Sequence, residues 1–315
     1  MSEDPNTPSQ NQLTEEKSTA NLGRRGFVAS AAVAGLAACA SSEETAEEQA
    51  EATAGPPFEV VETDVEIPTD DGVSDSVFIH PVGDGAYPAV IIWPDAFGLR
   101  PTFRAMGRRV AAEGYSVLVA NPYYRLKKAP AFEEDQVANF DFGNQEDRAF
   151  LTPLMGSITA PGAAETDAAA YVAFLDEQPQ VDTTKGIGTQ GYCMGGPLIV
   201  RTAAAQPDRI AAAASFHGGG LVNDTPTSPH LLAPKTKAQM YFGIAANDDA
   251  NQPEAKDVLK EAWGDRAEVE VYPNSQHGWC VMDMPAGANG PIYNEPDAER
   301  AWGKLLELYS SQLSA

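Results

Sequence analysis

Apolar and polar positions change period several times along this chain. Val60 to Ile67 and Ser76 to His80 alternate like half-buried strands, and Asp70-Asp71-Gly72 between them reads as a hairpin turn. Ala89-Val90-Ile91-Ile92-Trp93 and Tyr115-Ser116-Val117-Leu118-Val119-Ala120 are nearly unbroken apolar runs, expected of strands covered on both faces. Between these runs, Phe103, Met106, Val110 and Ala111 recur at helical spacing, and Gly114 closes that helix. Ala163 to Glu177 predicts a helix with Ala164, Ala168, Tyr171, Val172 and Leu175 on one face. Lys185 to Gln190 then reads as a strand and Pro197 to Ala205 as a helix. Ile210 to Phe216, Ala238 to Ile244 and Ala267 to Tyr272 read as strands, and Glu295 to Leu313 as a closing amphipathic helix. This alternation predicts an α/β class: right-handed βαβ units forming a mostly parallel central sheet with helices on both faces. Residues 126–160 are more polar and less periodic, an excursion over the sheet edge with some helix. There is no internal repeat and no sign of a second core.

The first 57 residues follow different rules. Residues 1–22 are polar without apolar period, and disorder is expected there. Gly23-Arg24-Arg25-Gly26-Phe27-Val28 leads into an 11-residue apolar run, Val28 to Ala38, far short of the ~20 residues a spanning helix needs. Paired arginines before a short apolar run resemble a twin-arginine signal, and Leu36-Ala37-Ala38-Cys39 resembles a bacterial lipobox. The resemblance implies removal of residues 1–38, lipidation of Cys39, and an exported lipoprotein held to a membrane by its N-terminal lipid alone, in the periplasm or at the cell surface. Residues 40–57, rich in Ala, Glu, Ser and Thr and ending in Pro56-Pro57, read as an acidic flexible linker. The globular domain is expected over 58–315.

Composition narrows the function. A chain of 315 residues with 43% hydrophobic content suffices for one large core. A net charge of -24, from 21 basic and 45 acidic residues, argues against a nucleic-acid partner, because phosphate binding needs a basic face. The acidic residues are scattered, which reads as a strongly solvated surface. Cys39, Cys193 and Cys280 are too few for a disulfide framework, and a Cys193–Cys280 bridge would consume the most reactive candidate thiol.

That candidate is Cys193, in Gly191-Tyr192-Cys193-Met194-Gly195 between a predicted strand and a predicted helix. This is the context of a nucleophile elbow: the flanking glycines permit a tight turn, the apex side chain stands at the carboxyl edge of the sheet, and the Met194 N–H is placed to bind an oxyanion. A thiol needs a base, and in such folds the order is nucleophile, acid, histidine. His277, after the last predicted strand, fits the base. His217 follows a strand at the same edge and is placed to line the site; His230 reads as a loop residue and His80 as the end of an edge strand. Asp248 and Asp249 both follow a strand where the acid belongs, and spacing does not choose between them. No histidine, cysteine or carboxylate spacing suggests a metal, and the chemistry requires no cofactor.

Taken together, these segments resemble the dienelactone hydrolase family of α/β-hydrolases over roughly Phe58 to Leu313. Gly191 to Gly196 looks like its cysteine elbow, Tyr241 to Asp248 like its acid segment, which favours Asp248, and His277-Gly278-Trp279 like its histidine turn. The resemblance implies an α/β-hydrolase fold and hydrolysis of small ester or lactone substrates, carboxymethylenebutenolidase-like, through a thioester on Cys193. It implies a thiol gate at Asp95, where the family's best-known members carry Glu, and an oxyanion donor near Ala96. Arg125 matches one of two arginines that hold a substrate carboxylate; Val281 stands at the second. Trp279 and His217 are further expected substrate contacts. The rival expectations are a catalytically silent ligand-binding lipoprotein and a thiol peptidase. Oligomeric state is left open.

Overall fold

The computed structural model describes residues 58–287 and 290–314. The signal, lipobox and linker readings, Cys39 included, lie outside these residues. A hairpin opens the described chain: β1 (Val60–Thr69) pairs antiparallel with β2 (Gly72–Pro81) around the Asp70-Asp71 turn. Then follow β3 (Ala89–Trp93), α1 (Pro101–Ala112) and β4 (Ser116–Val119). The polar excursion forms α2 (Glu134–Ala138) and α3 (Gln145–Thr159), and α4 (Ala163–Asp176) leads to β5 (Ile187–Tyr192). The second half comprises α5 (Gly195–Ala205), β6 (Ile210–Phe216), β7 (Gln239–Ala245), α6 (Ala246–Asn251), α7 (Ala255–Trp263), β8 (Ala267–Tyr272) and α8 (Glu295–Leu313).

Eight strands make one sheet in the order β1-β2-β4-β3-β5-β6-β7-β8. From β4 to β8 every neighbouring pair is parallel. The two apolar faces explain the unbroken apolar strands. In β3, Ile91 and Trp93 join one core with α3, α4, α5 and α7, whereas Val90 and Ile92 join the other with α1 and α8. This period of two is the pleat, and both faces need apolar residues because helices cover both. The helices α6 and α7 were not predicted: α6 buries nothing, whereas α7 is amphipathic and buries Leu259 and Trp263.

The strand order puts the functional edge in the middle. The chain winds outward from β3 to β4 on one side, then from β5 to β8 on the other, so β3 and β5 flank a switch point at which ligand crevices form. Pairing of Trp93 with Gly191 sets the loop after β3 beside the turn after β5. The excursion lies over that loop: Phe132 and Phe140 pack edge-to-face on Phe97 at 5.4 and 5.1 Å.

Candidate active site

Cys193, the first residue after β5, has φ +51, a left-handed conformation that costs a non-glycine residue roughly 1–3 kcal/mol. Neighbouring backbone holds it there. The Cys193 N–H donates to Phe216 O at 3.1 Å, and its carbonyl accepts from Gly196 and Gly219. The glycines of the motif are there for space. A Cβ on Gly191 would lie 2.2 Å from Gly195 O; one on Gly195, 2.3 Å from Trp93 O; one on Gly196, 2.4 Å from Gly218 Cα. Only a bare backbone lets α5 start this close to β3.

The candidate acid, Asp248, and the candidate base, His277, follow β7 and β8. His277 Nδ1 lies 2.8 Å from Asp248 Oδ2, and the His277 N–H donates to Asn247 Oδ1 at 2.8 Å. The two loops are tied together by Ala246 N–H donating to Ser275 O at 2.9 Å. Asp249 turns elsewhere and pairs with Lys256 Nζ at 2.6 Å. The geometry thus separates the two aspartates that spacing left equivalent. Burial pushes the His277 imidazole toward neutrality. The hydrogen bond to Asp248, then the hydrogen bond and charge of Cys193, outweigh it and raise its pKa to about 10. An imidazolium stabilised by a carboxylate on one side and a sulfur on the other is the partner a thiolate needs.

Cys193 and His277 share a cleft of about 570 Å3, walled by Asp95, Ala96, Phe97, Phe142, Met284 and Ile292 among others. Among the described residues, neither the Met194 N–H, at the start of α5, nor the Ala96 N–H donates to a protein group. Both are therefore free to donate to an oxyanion. Asp95 shapes the loop that carries Ala96. Its Oδ1 accepts from the Phe97 N–H at 2.9 Å and from Arg100 at 2.7 Å, and its Oδ2 accepts from Arg100 at 3.0 Å. Its hydrogen bonds go to this loop, and none goes to Cys193.

Three residues expected at the substrate lie elsewhere. Arg125 forms bonds to Asp71 and Asp167 at 2.7 Å and does not line the cleft. His217, only 1% exposed, packs its ring 4.9 Å from that of His277 and 5.2 Å from that of Trp279. Burial, then the neighbouring His277 charge, holds its pKa well below the usual histidine value, so it is a neutral ring. Trp279 is wholly buried and stacks on Tyr272 at 4.8 Å. Val281 is likewise buried in the core with α1 and α8. Cys280 does not lie beside Cys193; it lines a separate apolar pocket between α1 and α8, where burial keeps its thiol protonated. The sequence reading overlooked Asn247, Phe97, Phe142 and Met284. Asn247 was legible as the neighbour of Asp248, and Phe97 as the neighbour of Ala96; Phe142 and Met284 reach the cleft through tertiary packing.

A mostly parallel sheet with a cysteine at a strand–turn–helix elbow and an aspartate–histidine pair after its last two strands has the architecture of an α/β-hydrolase. The profile of the dienelactone hydrolase family matches residues 75–313, and the chain belongs to that family. Curated relatives include a putative carboxymethylenebutenolidase of Synechocystis, 28% identical over 240 residues, covering 74% of this chain and 90% of its own. A Salmonella typhi protein described in the same words is 27% identical over 237 residues, covering 72% and 78%. In fold, the chain is similar to a putative dienelactone hydrolase from Klebsiella pneumoniae (TM-score 0.65, 20% identity, 80% of this chain and 99% of that one). It is an enzyme of the ester- and lactone-hydrolysing class.

Proposed function

We propose that the protein hydrolyses small-molecule esters or lactones by acyl transfer to Cys193, with His277 as base and acid and Asp248 as its orienting carboxylate. The observation that carries this reading is the placement of a positive-φ cysteine and a histidine–aspartate pair in one cleft. The Cys193 thiolate attacks the substrate carbonyl carbon, and the carbonyl π pair moves onto oxygen, where the Met194 and Ala96 N–H groups receive it. Each such donor typically lowers the barrier by about 3 kcal/mol. Collapse expels the alkoxide, which takes its proton from the His277 imidazolium and leaves a thioester. His277, now neutral, removes a proton from water; hydroxide attacks the thioester, and the acid and thiolate are regenerated. Asp248 holds the imidazole in the tautomer that presents Nε2 to sulfur.

Hydrolysis of p-nitrophenyl acetate by wild type, Cys193→Ala and His277→Ala tests this assignment. The two variants are expected to lose at least about a thousandfold in kcat/KM. Wild-type rates in Cys193→Ala would refute the nucleophile, and an inert wild type across esters and lactones would support a ligand-binding protein instead. We further propose export as a lipoprotein anchored at Cys39, on the strength of the Arg24-Arg25 and Leu36-Ala37-Ala38-Cys39 segments. Mass measurement of the membrane-fraction protein is expected to give a chain beginning at a lipidated Cys39; a chain retaining residues 1–38 would contradict it.

A further inference from the structure

We propose that the Cys193 cleft selects neutral esters with an apolar, preferably aromatic, acyl group and discriminates against acyl groups bearing a free carboxylate. The inference deepens the proposed esterase reading and rests on it. Its first ground is the commitment of Arg100 and Arg125 to carboxylates of the protein itself. The described residues of the cleft wall include no arginine or lysine; their charged members are Asp95 and His277. Arg100, five positions from Asp95, is 3% exposed and already saturated. It binds Asp95 through both terminal nitrogens, and Asp283 through Nε and one terminal nitrogen at 2.8 Å each. Two carboxylates around one guanidinium leave a net negative cluster beside the cleft. The family-expected clamp is absent as well, since Arg125 is bound to Asp71 and Asp167 and Val281 is in the core. Apart from His277, already paired with Asp248, an anionic substrate would meet no cation on this wall and would face like charge, within a protein of net charge -24.

The second ground is what the wall offers in place of charge. Phe97 and Phe142 face the cleft 5.9 Å apart and head a stack that continues through Phe140, Phe132 and Phe150, with ring separations of 4.8 to 5.9 Å. Phe142 is half exposed, an open ring edge at the mouth. Met284, Pro291 and Ile292 oppose it. Edge-to-face stacking on such a wall favours a ring over an equally large polar group.

The test compares p-nitrophenyl benzoate with the same ester carrying a para-carboxylate on the acyl ring, using the full chain. Wild type is expected to favour the neutral ester by at least about tenfold in kcat/KM, with the gap narrowing as salt screens the negative cluster. Asp283→Asn, which removes one of the two carboxylates on Arg100, is expected to narrow the gap several-fold. Phe142→Ala is expected to reduce the preference for benzoate over acetate. Equal or better turnover of the carboxylated ester by wild type would overturn the inference while leaving Cys193 in place. Undiminished turnover of both benzoates by Cys193→Ala would instead remove the nucleophile on which the inference stands.

Discussion

At the scale of single residues, the site is governed by which charges are paired. His277 is raised to about 10 in the folded protein against 6.5 when free of partners. A raised value means that the protonated form favours the fold. That contribution is complete below pH 6.5 and disappears as pH climbs through about 10. The stability difference between wild type and His277→Gln, followed by urea unfolding, is therefore expected to shrink across this window. A constant difference from pH 6 to 10 would contradict the charged pairing. Arg100 gives a second prediction. Arg100→Ala leaves the Asp95 carboxylate, 2% exposed, without its counter-ion, and uncompensated buried charge typically costs about 3–5 kcal/mol. Unfolding in urea is expected to show a loss of that order, with activity falling as the loop carrying Ala96 loosens.

At the scale of elements, the elbow is the point of tightest fit. Gly195→Ala would push a methyl to within 2.3 Å of the Trp93 carbonyl, against backbone that cannot swing aside as a side chain can. A loss of about 1–3 kcal/mol in stability is expected, together with a fall in kcat from displacement of the Met194 N–H. An alanine variant with unchanged melting and turnover would contradict the close approach of β3 and α5. The strands flanking this turn were legible because burial on both faces forces apolar runs such as Ala89 to Trp93. The paired ends of β7 and β8 were legible from chain order. Partner choice was not: Arg125 meets Asp167 across 42 positions and Arg100 meets Asp283 across 183, and no local period encodes such pairs. The short α6 escaped notice because it buries nothing, α7 was passed over although Val258, Leu259, Ala262 and Trp263 recur at helical spacing, and His217 read as a substrate contact because an exposed and a buried histidine look alike at a strand end.

At the scale of the whole molecule, 45 acidic residues oppose 21 basic ones. Exposed ion pairs such as Arg109 with Glu299 contribute about 0–1 kcal/mol each and weaken in salt, but the unbalanced repulsion is larger and is screened as well. The melting temperature is therefore expected to rise between roughly 0.05 and 1 M sodium chloride; a fall would mean that specific pairs outweigh net charge. The same field bears on substrate choice, since it disfavours anions before they reach the cleft. The central proposal is acyl transfer to Cys193 in that cleft, and the most direct test is to catch this residue acylated. The protein would be mixed with p-nitrophenyl acetate, quenched in acid within the first turnover, and mapped by peptide mass spectrometry. One acetyl group, labile to hydroxylamine, is expected on the peptide containing Cys193; turnover with no adduct there, or with the acetyl group on another residue, would contradict the assignment of Cys193.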